Sequence, residues 1–227
     1  PSVHAVPVEE LPATDRYCLA RLAAAVDDAG AAYEAYAFSR AQAGLLRFCG
    51  ADLSNWYLDA AKDRLYIQAR DSFSRRACQT VLAAATTSLI AALAPITPHL
   101  AEDAWAALPW KDASRPASAF LAGWATPDPA WTSQPPLDAA AVAIALEVRG
   151  EVNQALQAAQ REGALGAGLD ARVAVWCADA DAAAALRRLQ AARNEADPLR
   201  YCFIVSAVDV VDGEVDAAST PFTAAAA

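Results

Sequence analysis

The sequence predicts a mainly α fold, in which a helical bundle is followed by a small helix-strand-helix-strand unit. Two observations support this prediction. Apolar residues recur at helical spacing through the first 110 residues. From residue 171 onward, short valine-rich runs alternate with an alanine-rich helical run. The chain has 227 residues, of which 56% are apolar, enough to form a core, although much of this fraction is alanine.

After an extended segment over residues 1–10, four helices are expected in the first predicted domain, residues 1–110. Their expected bounds are Thr14 to Tyr36, Ser39 to Ile67, Ser72 or Ser74 to Leu93, and a short helix that begins at Pro98. Thr14 and Thr97 are suitable N-cap residues, and proline suits the first helical position. A bend is expected at Gly50.

An irregular crossing segment is predicted over residues 111–137. Residues 109–137 hold six of the thirteen prolines and three tryptophans, Trp110, Trp124 and Trp131. Since a loop of this kind lacks regular hydrogen bonding, we expect the tryptophans to pin it onto the helices.

The third predicted segment, residues 138–212, combines a long helix with a small α/β subdomain. The helix runs from Asp138 to Glu162 and ends in "GALGAGLDA", whose glycines suit a C-cap. A strand "ARVAVWC", a helix "DADAAAALRRLQAARNEA" and a strand "LRYCFIVSAVDVV" follow. Residues 213–227 are predicted to be a disordered tail of low complexity.

Charge is unevenly distributed along the chain. The formal net charge is −9, which argues against a general nucleic-acid binder. Residues 40–76 nevertheless carry seven basic and four acidic side chains, a local balance of +3, so the rest of the chain carries −12. A local basic strip on an acidic protein is therefore predicted.

No metal site and no catalytic residue are predicted. The five cysteines, at positions 18, 49, 78, 177 and 202, form no C-x-x-C pair, and reduced, mostly buried thiols are expected. The two histidines, His4 and His99, lie far apart in the sequence. No apolar stretch is both long and unbroken enough to predict a membrane span. The absence of methionine suggests a piece of a longer protein.

A helical wheel of residues 52–66 separates core from surface. Trp56 and Tyr57 lie on the apolar arc and are expected to be structural, whereas Lys62 and Tyr66 lie on the opposite arc. Arg64 lies within the apolar arc, so we expect a buried ion pair with a carboxylate on a neighbouring helix.

The polar faces of this helix and the next one predict a cationic strip. Its expected members are Lys62, Tyr66, Arg70, Arg75, Arg76 and Gln79. Lysine and arginine can hold phosphates, and Tyr66, or as the weaker candidate Trp56, can stack on an unpaired base. From the spacing alone, a solvated face with intrahelical pairs remains an alternative.

Four blocks follow one another along the chain: "AYEAYAFSRAQAGLLRFCGADLSNWYLDAAKDRLY", "RRACQTVL", "APITPHLAEDAWAALP" and "VRGEVNQALQAAQREGALGAGLDARVAV". Together they resemble the anticodon-binding region of the class I isoleucyl-tRNA synthetase family. They cover most of residues 11–178. Valyl and leucyl synthetases share the bundle and some of these features, whereas "KDRLY", "RR-x-x-QT" and "VRGEVN" look more like isoleucyl members.

The resemblance implies that the chain holds the anticodon stem and loop of tRNA(Ile), with the remainder of the synthetase as a further partner. The parent enzyme ligates isoleucine to tRNA with ATP and magnesium, and acts in the cytoplasm or in a chloroplast or other organelle. The signature motifs for ATP chemistry, the editing domain and the four-cysteine zinc module are not in this sequence. We therefore expect no cofactor in this chain and no ligase activity from it alone.

Two alternatives remain open on the sequence. One is the equivalent region of a valyl- or leucyl-tRNA synthetase. The other is a helical scaffold or protein-interaction module that does not bind RNA, in which case salt-dependent tRNA binding would be absent.

Overall fold

A computed structural model describes residues 4–110, 115–133, 135–192 and 197–213. It confirms the mainly α fold class. The chain divides into two compact units: the first comprises residues 1–58 and 62–134, and the second comprises residues 59–61 and 135–227. The expected tail lies outside the described residues from position 214 onward, as do residues 111–114 of the crossing segment.

Five α-helices and one π-helical stretch precede residue 110. They are α1 (Ala13–Glu34), α2 (Phe38–Arg47), the π segment (Phe48–Leu58), α3 (Asp59–Tyr66), α4 (Phe73–Leu93) and α5 (Pro98–Ala107). The predicted second helix is therefore one continuous helical run from Phe38 to Tyr66. Its expected irregularity at Gly50 takes the form of a π segment, in which each turn holds about one residue more than an α-turn.

The cap residues agree only partly with the prediction. Ser72 caps α4, and its hydroxyl accepts a hydrogen bond from the amide of Arg75. Thr14 is not a cap: α1 starts after Pro12, so Thr14 lies inside the first turn. Thr97 does precede α5, but its hydroxyl donates to the carbonyl of Leu93 at 3.2 Å and caps nothing.

Helix α1 is central to the first unit, where it packs against both α2 and α4. Leu19, Leu22 and Val26 of α1 are fully buried, as is Val81 of α4. Many of the other buried positions are alanines, including Ala23, which allow close helix approach. Helix α4 is long and apolar enough, by length and composition alone, to cross a membrane, which is weak evidence because the core helix of a soluble protein passes the same test.

The crossing segment is held by aromatic contacts, as expected. Trp124 meets Tyr33 of α1 edge to face, with ring centroids 5.3 Å apart. Trp110 packs against a small core cluster around Trp105 of α5. A short 3-10 turn over Pro129–Thr132, which contains the third tryptophan, contacts α1.

The second unit contains three helices and two strands among its described residues. They are α6 (Pro136–Arg161), β1 (Arg172–Val175), α7 (Ala180–Ala191), α8 (Pro198–Phe203) and β2 (Ala207–Val210). The glycine C-cap predicted for α6 is Gly163, whose φ is +71°. The predicted end of α7 falls on residues 193–196, which lie outside the described residues.

The two strands pair in parallel, with Arg172 opposite Ala207 and Val175 opposite Val210. The predicted strand "LRYCFIVSAVDVV" is wrong in its first half, which forms α8. Asp197 caps this helix by accepting from the amide of Leu199, and Pro198 suits its first position. A Cβ on Gly168 would lie 2.9 Å from the carbonyl oxygen of Ile204, so only glycine fits there.

Candidate nucleic-acid interface

A buried polar network joins the start of α1 to the π segment and α3. Asp15 is 0% exposed. Its Oδ1 accepts from the hydroxyl of Tyr57 at 2.8 Å and from Nη1 of Arg64 at 2.7 Å. Its Oδ2 accepts from Nη2 of Arg64 at 2.6 Å. Arg64 therefore holds the buried carboxylate in a two-pronged geometry, as the wheel predicted for an unnamed neighbouring acid.

The other edge of the same guanidinium reaches α4. Nε of Arg64 donates to the hydroxyl of Ser74 at 2.9 Å, and Nη2 donates to the Ser74 carbonyl at the same distance. Burial by itself lowers the pKa of Arg64, but the Asp15 carboxylate outweighs burial and the pKa is raised. Arg64 is therefore charged in the native protein.

Burial around this network keeps the nearby tyrosine hydroxyl and cysteine thiols protonated. Burial, reinforced by the Asp15 charge, raises the pKa values of Tyr57 and Cys18 well above their ordinary values. Burial also raises the pKa of Cys78 to about 11. These groups are structural hydrogen-bonding or apolar members of the core at neutral pH.

We name as the corner the surface formed by α3 from Lys62 onward, the loop 67–72 and the first turns of α4. Lys62, Arg70 and Gln79 are exposed there, and Tyr66 is 80% exposed. The corner therefore presents cations next to an accessible aromatic ring. Such a combination suits a phosphate backbone beside an unpaired base.

Arg75 and Arg76 are less free than the wheel implied, because both are half-buried against the loop. Nη1 of Arg75 donates to the carbonyl of Gln68 at 3.4 Å, and its Nε is buried without a hydrogen-bond partner among the described residues. Nε of Arg76 donates to the carbonyl of Asp71 at 3.2 Å. Both arginines lie in the first turn of α4, and their side chains bond back to the loop that precedes it.

Trp56 and Tyr57 occupy core positions. Trp56 is buried, and its ring meets that of Tyr17 edge to face, with centroids 5.7 Å apart. A base could not reach its face without displacing this contact, so among the expected aromatic residues Tyr66 is the accessible one.

The sequence did not identify two members of the buried network. Asp15 looked like an ordinary acidic residue of a helix first turn, and Ser74 looked like a cap candidate. A signal for Asp15 existed, because an acid among the apolar positions of α1 needs a buried cation. Within the described residues, no group of three or more His, Cys, Asp or Glu side chains could hold a metal ion.

Residues 15–175 match the family described as "Anticodon-binding domain of tRNA ligase". The matched region contains the buried network, the corner and the first strand. The expected resemblance is therefore confirmed at the level of the domain.

Relatives named isoleucine–tRNA ligase align with nearly the whole chain. A Synechococcus protein is 44% identical over 93% of this chain. The chloroplastic/mitochondrial enzyme of Arabidopsis thaliana is 42% identical over 92%, and a Microcystis aeruginosa protein is 40% identical over 93%. The chain spans only 22%, 19% and 22% of these relatives. With more than half of its residues matched, the chain belongs to the family of anticodon-binding domains of tRNA ligases.

Proposed function

We propose that this chain is the tRNA-binding part of an isoleucine–tRNA ligase and that it holds the anticodon stem and loop of tRNA(Ile). The observation that carries the proposal is the corner, where Lys62 of α3, Arg70 of the loop and Arg75 and Arg76 of α4 add positive charge to an otherwise acidic chain. The domain family and the names of the relatives support the same reading.

The charge distribution favours a single RNA-binding site on this chain. Outside residues 40–76 the formal charge is −12, so most of the surface repels a polyanion. The corner attracts it, which limits both where the tRNA docks and in which orientation. Backbone phosphates provide affinity through the cations, and Tyr66 offers a face for stacking a base of the loop.

Arg75 is well suited to exchange its present contact for a phosphate. Its hydrogen bond to the Gln68 carbonyl is long, at 3.4 Å, and its Nε has no partner among the described residues. A guanidinium satisfied this poorly gains more from a charge-assisted, two-pronged contact with a phosphate than a fully bonded one does.

Catalysis belongs, in this proposal, to the remainder of the ligase, which would supply the sites for isoleucine, ATP and magnesium. The relatives include bacterial and chloroplastic/mitochondrial enzymes. We therefore place the protein in the bacterial cytoplasm or in an organelle that carries out translation.

The proposal is tested by titrating tRNA(Ile) with the chain at several salt concentrations. The Arg75→Ala/Arg76→Ala double variant removes two phosphate contacts, so the salt slope should flatten by roughly 1.5 to 2 and all tRNAs should bind more weakly. A matched control is Arg187→Ala/Arg188→Ala, another pair of adjacent arginines, on α7. The control should leave the slope unchanged.

Two results would contradict parts of this proposal. An unchanged slope in the Arg75/Arg76 variant would mean that tRNA docks elsewhere, and no tRNA binding by the wild type at low salt would favour the scaffold reading. A preference for tRNA(Val) or tRNA(Leu) over tRNA(Ile) would assign the chain to the valyl or leucyl relatives instead.

A further inference from the structure

The corner rests on Arg64, whose guanidinium uses both of its edges. One edge carries two hydrogen bonds to Asp15 of α1 at 2.7 and 2.6 Å. The other edge carries bonds to the hydroxyl and the carbonyl of Ser74 in the first turn of α4. Arg64 therefore clamps the beginning of α4 to the beginning of α1.

The clamped turn is the one that carries the candidate phosphate ligands. Ser74 immediately precedes Arg75 and Arg76 in the chain. Ser72 caps the same turn through the Arg75 amide, and its hydroxyl donates to the side chain of Gln68 at 3.1 Å. The backbone beneath both arginines is thus fixed from inside by Arg64 and from outside by the loop.

We propose that Arg64, held by Asp15, is a positioning residue for RNA binding: it fixes the first turn of α4 so that Arg75 and Arg76 meet the phosphates together. This inference rests on the proposed function. Arg64 itself is buried, so its guanidinium is not available for contact with RNA. It acts by removing, before the tRNA arrives, the freedom that the turn would otherwise lose on binding.

A simple structural role for the ion pair makes a different prediction. If Arg64 only stabilised the fold, tRNA binding would change only through the unfolded fraction. The geometry assigns more, because the buried N–H groups that Asp15 leaves over need acceptors, and both acceptors belong to Ser74, in the turn that carries Arg75 and Arg76. Three donor contacts go to Ser74, including a longer one from Nε to the carbonyl at 3.3 Å.

Arg64→Lys separates the two halves of the clamp. A lysine ammonium can remain opposite the Asp15 carboxylate, so the buried charges stay paired, but it lacks the planar fork needed to hold Ser74 as well. We expect tRNA(Ile) binding to weaken about tenfold, because the loosened turn must be ordered again each time a tRNA binds. We also expect the salt slope to flatten by about 1, because the two arginines no longer engage together.

Two readouts distinguish positioning from stability. Leu45→Ala in α2 deletes a fully buried side chain of another core cluster and is the destabilised control. At a temperature where both variants are folded by circular dichroism, Leu45→Ala should keep the wild-type salt slope. Amide hydrogen exchange in the first turn of α4 should rise in Arg64→Lys and not in Leu45→Ala.

Ser74→Ala tests the same idea if Arg64→Lys does not fold. It removes the hydroxyl acceptor and leaves the ion pair intact, so a smaller loss of affinity and a partial rise in exchange are expected. Wild-type affinity and slope in the folded variants, or an equal change in Leu45→Ala, would overturn the positioning role. If the Arg75→Ala/Arg76→Ala variant also keeps the wild-type slope, the proposed RNA site itself is wrong, and the inference fails with it.

Discussion

The two ends of α1 place their side chains in opposite ways. Near the start, Asp15 is a carboxylate that is 0% exposed. Just after the end, Tyr36 is an aromatic residue that is 81% exposed and has a left-handed backbone, with φ at +54°. The first position buries charge and the second exposes a large apolar ring, although burial rules predict the reverse for both.

The difference lies in how each end is satisfied. Both oxygens of Asp15 have partners, so burial strengthens its bonds and leaves no uncompensated charge. At the other end, the amide of Ala37 donates to Ala32 and that of Tyr36 to Tyr33, which closes the helix in a motif that favours glycine. The fully partnered carboxylate makes its own removal costly, whereas the left-handed backbone of Tyr36 is a strain that the chain carries.

The largest expected effect is at Asp15. Asp15→Asn keeps the shape but leaves the Arg64 charge buried without a carboxylate, so the free energy of unfolding should fall by about 3 to 5 kcal/mol. Urea denaturation would measure the change. Arg64 is the group left unpaired, so the loss should be largely independent of salt.

Asp52→Asn is the matched control for that substitution. Asp52 also pairs with an arginine of α1, Arg21, at 3.1 Å, but the Arg21 side chain is 44% exposed. An exposed pair of this kind contributes less than about 1 kcal/mol. Equal losses in the free energy of unfolding for Asp15→Asn and Asp52→Asn would show that burial of the Asp15 ion pair makes no difference to its contribution.

A pH dependence at the buried end is the next effect in size. In the unfolded chain a thiol loses its proton near pH 9.0, whereas native Cys78 keeps its proton to about 11. Between these values the unfolded state binds fewer protons, so the free energy of unfolding should fall as pH rises. Cys18 and Tyr57, whose pKa values are also raised, add to this loss.

Cys78→Ser tests this dependence because serine does not titrate in that range. Its free energy of unfolding, measured by urea titration across pH 9 to 11, should decline less steeply than that of the wild type. Cys49→Ser, which changes a half-buried thiol outside the network, should flatten the decline less. Parallel declines in Cys78→Ser and the wild type would contradict the assignment.

The smallest expected effect is at the exposed end and has the opposite sign. Tyr36→Gly relieves the left-handed strain but adds unfolded-state freedom, so we expect a net gain of about 0.5 kcal/mol. Ala35→Gly is the neighbouring control, since its φ of −84° suits any residue, and it should lose about 0.5 to 1 kcal/mol. Thermal unfolding of the pair checks the sign; a loss in Tyr36→Gly would mean that its ring contact with Phe38 outweighs the strain.

The helical spacing of apolar residues predicted the long helices, whose positions depend mainly on core packing. The presence of helices α1 to α7, the glycine that ends α6 and the burial of Arg64 follow from spacing and local chemistry, whereas the exact start of α1 and the whole of α8 do not. The identity of Asp15 as its partner did not follow, because a wheel of one helix gives the direction of a side chain and not its neighbour. The roles of Arg75 and Arg76 at the corner remain predictions.

The error over α8 has a physical cause. Residues 199–211 are rich in apolar and aromatic side chains, which favour a strand. Asp197 and Pro198 were the opposing signal, an N-cap followed by a residue suited to a first helical turn. The helix extends only to Phe203, and the next residue, Ile204, has a left-handed φ of +57° before the strand begins. Short helices of this kind depend on caps more than on periodicity.

The π segment has a consequence for how this sequence can change in length. Because each of its turns holds about one residue more than an α-turn, it sets the rotational phase in which α3 leaves it. Losing a single residue between Phe48 and Leu58, with the rest of the segment still π-helical, would turn every later side chain of α3 by roughly 80° and move Arg64 away from Asp15. Related chains should therefore tolerate substitutions in this stretch far better than insertions or deletions, and gaps should accumulate in the loops on either side of the helical run.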